Sequence, residues 1–197
     1  MLEKIQVLLK RRLKKYRKIA TVKTPKYMEE VLDNNISCVF LLMGNLGVIK
    51  RYVDFYRKHN IPVFLHIDKI GGLSSNSDGI EFVTNYIKPA GIISTRNSLL
   101  RIAKKNGLLT IQRLFLVDSD AVKKGLKEIE NHEPDYLELM PALVPELIQR
   151  VNRISKIPVI TGGLVGSPKH MYEALNAGAV AVSASNPVLW KVDLTQE

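Results

Sequence analysis

Eight short apolar segments, rich in β-branched residues, recur along this chain, and that rhythm constrains the fold more than any other feature. They lie at 18–23, 37–42, 62–68, 91–94, 109–114, 136–140, 158–161 and 179–183, with successive starts 18 to 29 residues apart. That spacing is the length of a minimal strand-plus-helix unit. The stretches between them carry helix signals. Pro25 opens the first, with Met28, Val31 and Leu32 on one side and Asn34 and Asn35 as a stop. Residues 98–106 put Leu99, Ile102 and Ala103 on one face and Arg101, Lys104 and Lys105 on the other, with Gly107 at the C-cap position. Asp118 is placed to cap a helix through Ala121, Val122 and Leu126. Ser167 followed by Pro168 reads as an N-cap with proline at the first helical position, and Gly178 closes that helix.

Strands alternating with helices pair in parallel. Eight units predict an α/β fold, a single (β/α)8 barrel of the TIM type. At 197 residues the chain falls below the roughly 250 typical of that barrel, so short helices are expected. A doubly wound open sheet is the alternative, but no Gly-x-Gly-x-x-Gly follows the first segment. The predicted organisation is a basic N-terminal helical extension over 1–17 and a barrel domain over 18–197.

Composition narrows the classes. The longest apolar runs, 39–43 and 178–182, fall far short of the roughly 20 residues of a membrane span. The single cysteine, Cys38, permits no internal disulfide and fits a reducing compartment. The basic start lacks the apolar core of a signal peptide, so a cytoplasmic protein is expected.

The formal net charge is +10, and it is unevenly placed. Residues 1–35 hold ten Lys/Arg against four Asp/Glu, and residues 82–117 hold no acid at all. Such clusters attract polyanions, because each phosphate contact releases condensed counterions. Lys10, Arg11, Arg12, Lys14, Lys15, Arg101, Lys104 and Lys105 are therefore candidate contacts for a polyanion, RNA among them, and charge alone does not choose the partner. A solvated helix face is the competing reading. Ile5, Leu8, Leu9, Leu13 and Tyr16 also form one stripe, which suits a partner helix or an anionic membrane surface.

In a closed barrel, sites form at the C-terminal ends of the strands. Those ends bring up Asn45, His66 with Asp68, Arg96, Gln112, Arg113, Glu138, Gly162–Gly163 and Ser183 through Asn186. The double glycine lets backbone N–H groups approach an anion, and phosphate sites of these barrels follow strands seven and eight. A tight strand-to-helix turn is the alternative there. Asp68 and Glu138 suit ligand hydroxyls or general-base work; their alternative is ion pairing with Arg96 or Arg113. Lys69 has the wrong parity for a Schiff base beside His66 and Asp68. His59, His132 and His170 read as surface residues, Cys38 as core, and no cluster has metal-ligand spacing, so no metal and no cofactor are expected.

The strings LHID–GGL at 65–73, KPAGIISTR at 88–96, IQRLFL at 111–116, PDY at 134–136 through Met140–Pro141, and AGAVAV at 177–182 ending in Ser185–Asn186 and Leu189–Trp190–Lys191 resemble the glycerol uptake operon antiterminator family. The resemblance covers roughly 18–191. It implies a regulator and no catalytic residue: a transcription antiterminator that responds to glycerol 3-phosphate and binds the leader mRNA of a glycerol-catabolic operon. It implies no DNA partner and leaves a homo-oligomer open. Carried onto this chain, the phosphate would sit on Gly162, Gly163, Ser183 and Ser185. Strand position adds His66, Asp68, Arg96 and Glu138 for the polyol end. An enzyme on the same barrel, a sugar-phosphate isomerase, aldolase or lyase, is the runner-up, because one fold hosts many functions.

Overall fold

The structure is a computed structural model that describes residues 2–116, 118–129 and 133–195. Strands β1 (Lys18–Val22), β2 (Val39–Leu41), β3 (Val63–His66), β4 (Gly91–Ser94), β5 (Leu109–Phe115), β6 (Tyr136–Met140), β7 (Val159–Gly162) and β8 (Ala181–Ala184) pair in parallel and in order. β8 returns to β1, which closes the barrel. Helices α1 (Leu2–Tyr16), α2 (Ile49–Lys58), α3 (Ser77–Phe82), α4 (Asn97–Lys105), α5 (Ser119–Ile129), α6 (Pro145–Ile154), α7 (Pro168–Asn176) and α8 (Pro187–Trp190) surround it. The expected (β/α)8 architecture is thus present, and short helices accommodate the short chain.

Alternation along each strand sorts the core into two layers. Outward residues such as Val39, Leu65, Ile92, Leu137 and Val182 join the helices in one large cluster. Inward residues such as Ile19, Phe40, Phe64, Ile111 and Ile160 form a second cluster that fills the barrel. A strand buried on both faces reads as a continuous apolar run, which is why the eight segments stand out in the sequence.

The expected caps form. Asp118 accepts from the Ala121 N–H at 2.7 Å, and Ser167 accepts from His170 N–H with Pro168 at the first helical position. Gly107 and Gly178 take φ of 79° and 99° behind α4 and α7. The first expected helix is a correction. Between β1 and β2 the chain forms only a 3-10 turn, Pro25–Tyr27, followed by further turns. Its backbone bonds run three residues apart, as in Met28 N–H to Pro25 and Leu32 N–H to Glu29. Val31, Asp33, Asn34 and Asn35 favour local turns over α-helix. His132 lies outside the described residues.

The basic extension is the floor of the barrel. α1 buries Leu9 and Leu13 against the inward residues of the strands, including Ile19, Cys38 and Phe64. Burying two leucines contributes roughly 1.5–3 kcal/mol each. Arg12 stands apart from the other candidate RNA contacts. Its guanidinium donates to the carbonyls of Ser37 at 3.1 Å and Ile36 at 2.6 Å, and it is half-buried. It ties α1 to the start of β2. Lys10, Arg11, Lys14, Lys15, Arg101, Lys104 and Lys105 are solvent-exposed, and Lys104 donates to the Glu133 carbonyl. No described helix is long and apolar enough to cross a membrane.

Candidate functional site

The upper inward layer is polar. Arg113 and Glu138 stand in register on β5 and β6, and both point into the barrel. Arg113 Nε donates to Glu138 Oε2 at 2.8 Å, and Ser183 Oγ donates to Glu138 Oε1 at 2.9 Å. All three are buried. A buried carboxylate needs a partner for each oxygen, and this one has both.

Gly162 makes that arrangement fit. A Cβ there would lie 2.0 Å from Ser183 Oγ and 3.2 Å from Glu138 Oε1. Gly163 has φ +77°, and a Cβ on it would lie 2.7 Å from the Met140 methyl. One glycine thus answers to the buried bond network and the other to the backbone of the turn.

Above this layer opens a cavity of about 320 Å3. Gly163, Ser183 and Ser185 line it, with Thr21, Lys23, Arg113 and Glu138. Three of the four expected phosphate residues therefore share one cavity, and Gly162 lies beneath it. Asn186 accepts from the Val188 N–H at 3.1 Å, so it caps α8 itself. The Trp190 indole donates to the Ala184 carbonyl at 2.8 Å and pins α8 onto β8.

The expected polyol residues separate. Glu138 lines this cavity, whereas His66, Asp68 and Arg96 stand across the mouth at the ends of β3 and β4. Asp68 accepts from Ser94 Oγ at 3.2 Å and pairs with Arg96. Its carboxylate lies 3.8 Å from His66 Nδ1. Both acids are therefore ion-paired, which answers the alternative weighed from sequence. Asp68 is not on the strand; it sits in a 3-10 turn, and that turn rather than strand parity brings it to His66.

His66 is buried, and its Nδ1 has no hydrogen-bond partner among the described residues. Burial first, then the Arg113 charge, pulls its pKa down to about 4, so the ring is neutral at physiological pH. Burial pushes the Cys38 thiol well above its usual range, which fits a core residue. Lys23 and Thr21 were not legible as site residues. They lie in the first segment, whose apolar stretch is short and flanked by cations, and their place at the mouth depends on β1 closing against β8.

The sequence of residues 18–190 matches the glycerol-3-phosphate responsive antiterminator family. The chain belongs to that family. This antiterminator-family chain is 35% identical to the glycerol uptake operon antiterminator regulatory protein of Listeria monocytogenes, with a TM-score of 0.84 over 88% of this chain and 95% of that one. A glycerol uptake operon antiterminator-related protein of Thermotoga maritima superposes with a TM-score of 0.78 at 29% identity, over 90% of this chain and 99% of that one. The Escherichia coli uncharacterized protein YgcP is 32% identical over 172 residues, 87% of this chain and 90% of the relative. The match to the antiterminator family begins at β1, so α1 stands outside it.

Proposed function

We propose that this chain is a cytoplasmic transcription antiterminator that binds the leader mRNA of a glycerol-utilisation operon when glycerol 3-phosphate occupies the mouth cavity. The observation that carries the ligand reading is the meeting of Lys23, Arg113, two serine hydroxyls and the Gly163 turn around one cavity. The phosphate lies between Gly163, Ser183, Ser185 and Lys23, where backbone N–H groups and the Ser185 hydroxyl meet a cation, while Ser183 gives its one proton to Glu138 and borders the site. The glycerol hydroxyls face Glu138, whose carboxylate accepts hydrogen bonds. His66, Asp68 and Arg96 hold the opposite rim.

A regulator fits the state of the carboxylates better than an enzyme does. A general base must be open to the proton it takes. Glu138 is held by Arg113 and Ser183, and Asp68 by Arg96 and Ser94. Ligand and RNA are coupled through the protein, so each raises the affinity of the other by the same factor, about 1–3 kcal/mol. A gel shift with a transcript of the operon leader tests this. Glycerol 3-phosphate is expected to tighten binding, and glycerol is not. Equal affinity with and without glycerol 3-phosphate overturns the reading.

A further inference from the structure

A cavity of about 600 Å3 lies at the end of the barrel opposite the mouth. Lys10, Lys14, Lys15 and Arg17 form one wall. Its floor is apolar, with Pro158, Ala179 and Val180. Leu194 and Thr195 also line it, and the buried Lys18 ammonium fixes the segment that carries them by donating to the Val192 carbonyl. No Asp or Glu is among the described residues that line it.

We propose that this bottom groove is the RNA site, with backbone phosphates along Lys10, Lys14, Lys15 and Arg17 and an unstacked base on the apolar floor. The proposal rests on the antiterminator reading and adds to it the face that RNA occupies. Four cations, with no Asp or Glu among the described residues that line the groove, complement a polyanion; the nearby Asp193 carboxylate is held by the Thr195 N–H at 2.9 Å. Single-stranded RNA offers what the groove is built to take, a charged backbone beside exposed flat bases. The volume falls within the roughly 300–1,000 Å3 of pockets that enclose a small group.

Arg17 is an independent observation. It ends α1 with φ +54°, and its N–H closes onto the Leu13 carbonyl at 3.1 Å. Glycine or asparagine is the usual residue in that left-handed position, since a Cβ is disfavoured there. An arginine accepts the strain and sets a cation on the groove wall. A membrane surface fits α1 less well. Its apolar stripe, through Leu9 and Leu13, already packs inside the barrel and is not free to enter lipid.

The test uses the full chain and a labelled transcript of the operon leader, with anisotropy read over a salt series. The double variant Lys10→Gln/Lys14→Gln is expected to weaken binding by about tenfold and to lower the salt slope by about 0.7 for each phosphate no longer neutralised. Arg17→Gly is expected to weaken binding while the melting temperature holds or rises. That pair of results separates a binding role from a folding one. Lys123→Gln/Lys169→Gln removes the same charge from exposed positions on α5 and α7 and is expected to bind as wild type does. Wild-type binding with unchanged affinity in the groove variants overturns the groove and leaves the antiterminator reading standing. Equal weakening in all variants also overturns it, by making the attraction a matter of net charge. No binding of the transcript by wild type overturns both. Vesicles of phosphatidylglycerol serve as the competing surface: capture that the groove variants lose, with RNA affinity unchanged, assigns the groove to lipid and overturns the proposal.

Discussion

Ser183 Oγ reaches Glu138 Oε1 at 2.9 Å through a space that exists because residue 162 has no side chain. The bond spans β8 and β6, across the strand between them. Gly162→Ala puts a Cβ where the hydroxyl now stands. Such overpacking costs about 1–3 kcal/mol. The expected outcome is a lower melting temperature and a smaller shift when glycerol 3-phosphate is added. A wild-type melting curve with a wild-type shift would remove the glycine from this role.

The Arg113–Glu138 pair sets a second expectation. Removing one partner of a buried pair leaves an unmatched charge, at about 3–5 kcal/mol. Arg113→Met and Glu138→Gln are each expected to lower stability by an amount in that range. The double variant is expected to lose less than the sum, because it leaves no bare ion inside. Urea unfolding of the four proteins checks this, and additive losses would mean that the two groups do not interact.

Leu13 tests whether α1 belongs to the barrel. Leu13→Ala empties a buried position beneath the strands and is expected to cost about 2–5 kcal/mol. Val7, on the same helix and 64% exposed, is the control, and Val7→Ala is expected to change stability by less than about 0.5 kcal/mol. A Leu13→Ala protein as stable as the Val7 control would place α1 outside the folding unit.

His66 gives the pH dependence. Its folded pKa is about 4 against 6.5 for the free group. Below 6.5 the unfolded chain takes up the proton and the folded one does not, until the pH nears 4. Stability contributed by this group therefore falls as pH falls through that window, by at most about 1.4 kcal/mol per pH unit. Urea midpoints at about pH 7 and about pH 5 are expected to differ less in His66→Gln than in wild type. Equal differences would mean that the ring gains its proton as easily folded as unfolded.

The strands were legible because nearly every residue in them is buried and most of those residues are apolar, and the helix ends were legible because Asp118, Ser167, Gly107 and Gly178 carry their own turn chemistry. What sequence could not supply was long range. The N-terminal cluster of cations does not say that Arg12 turns inward to the Ile36 and Ser37 carbonyls while Lys10, Arg11, Lys14 and Lys15 face water. Nor does the stripe of Ile5, Leu9 and Leu13 name what it covers, since the inward residues it meets come from strands throughout the chain. Both glycines at 162–163 were visible, but the reason for the first depends on Ser183 and Glu138, which stand on the strands either side of it. Lys23 was missed for the same reason: its place at the mouth exists only once the ring of strands is closed.

The family match and the packed interior of the barrel do not share a boundary. A chain begun at residue 18 would hold every strand that the family match spans, yet it would leave Phe40, Phe64 and Ile111 standing over an open hole. Such a fragment would present a ring of oily side chains to water and to other copies of itself. Anyone trimming this protein to its recognised region would be removing the stopper along with the label.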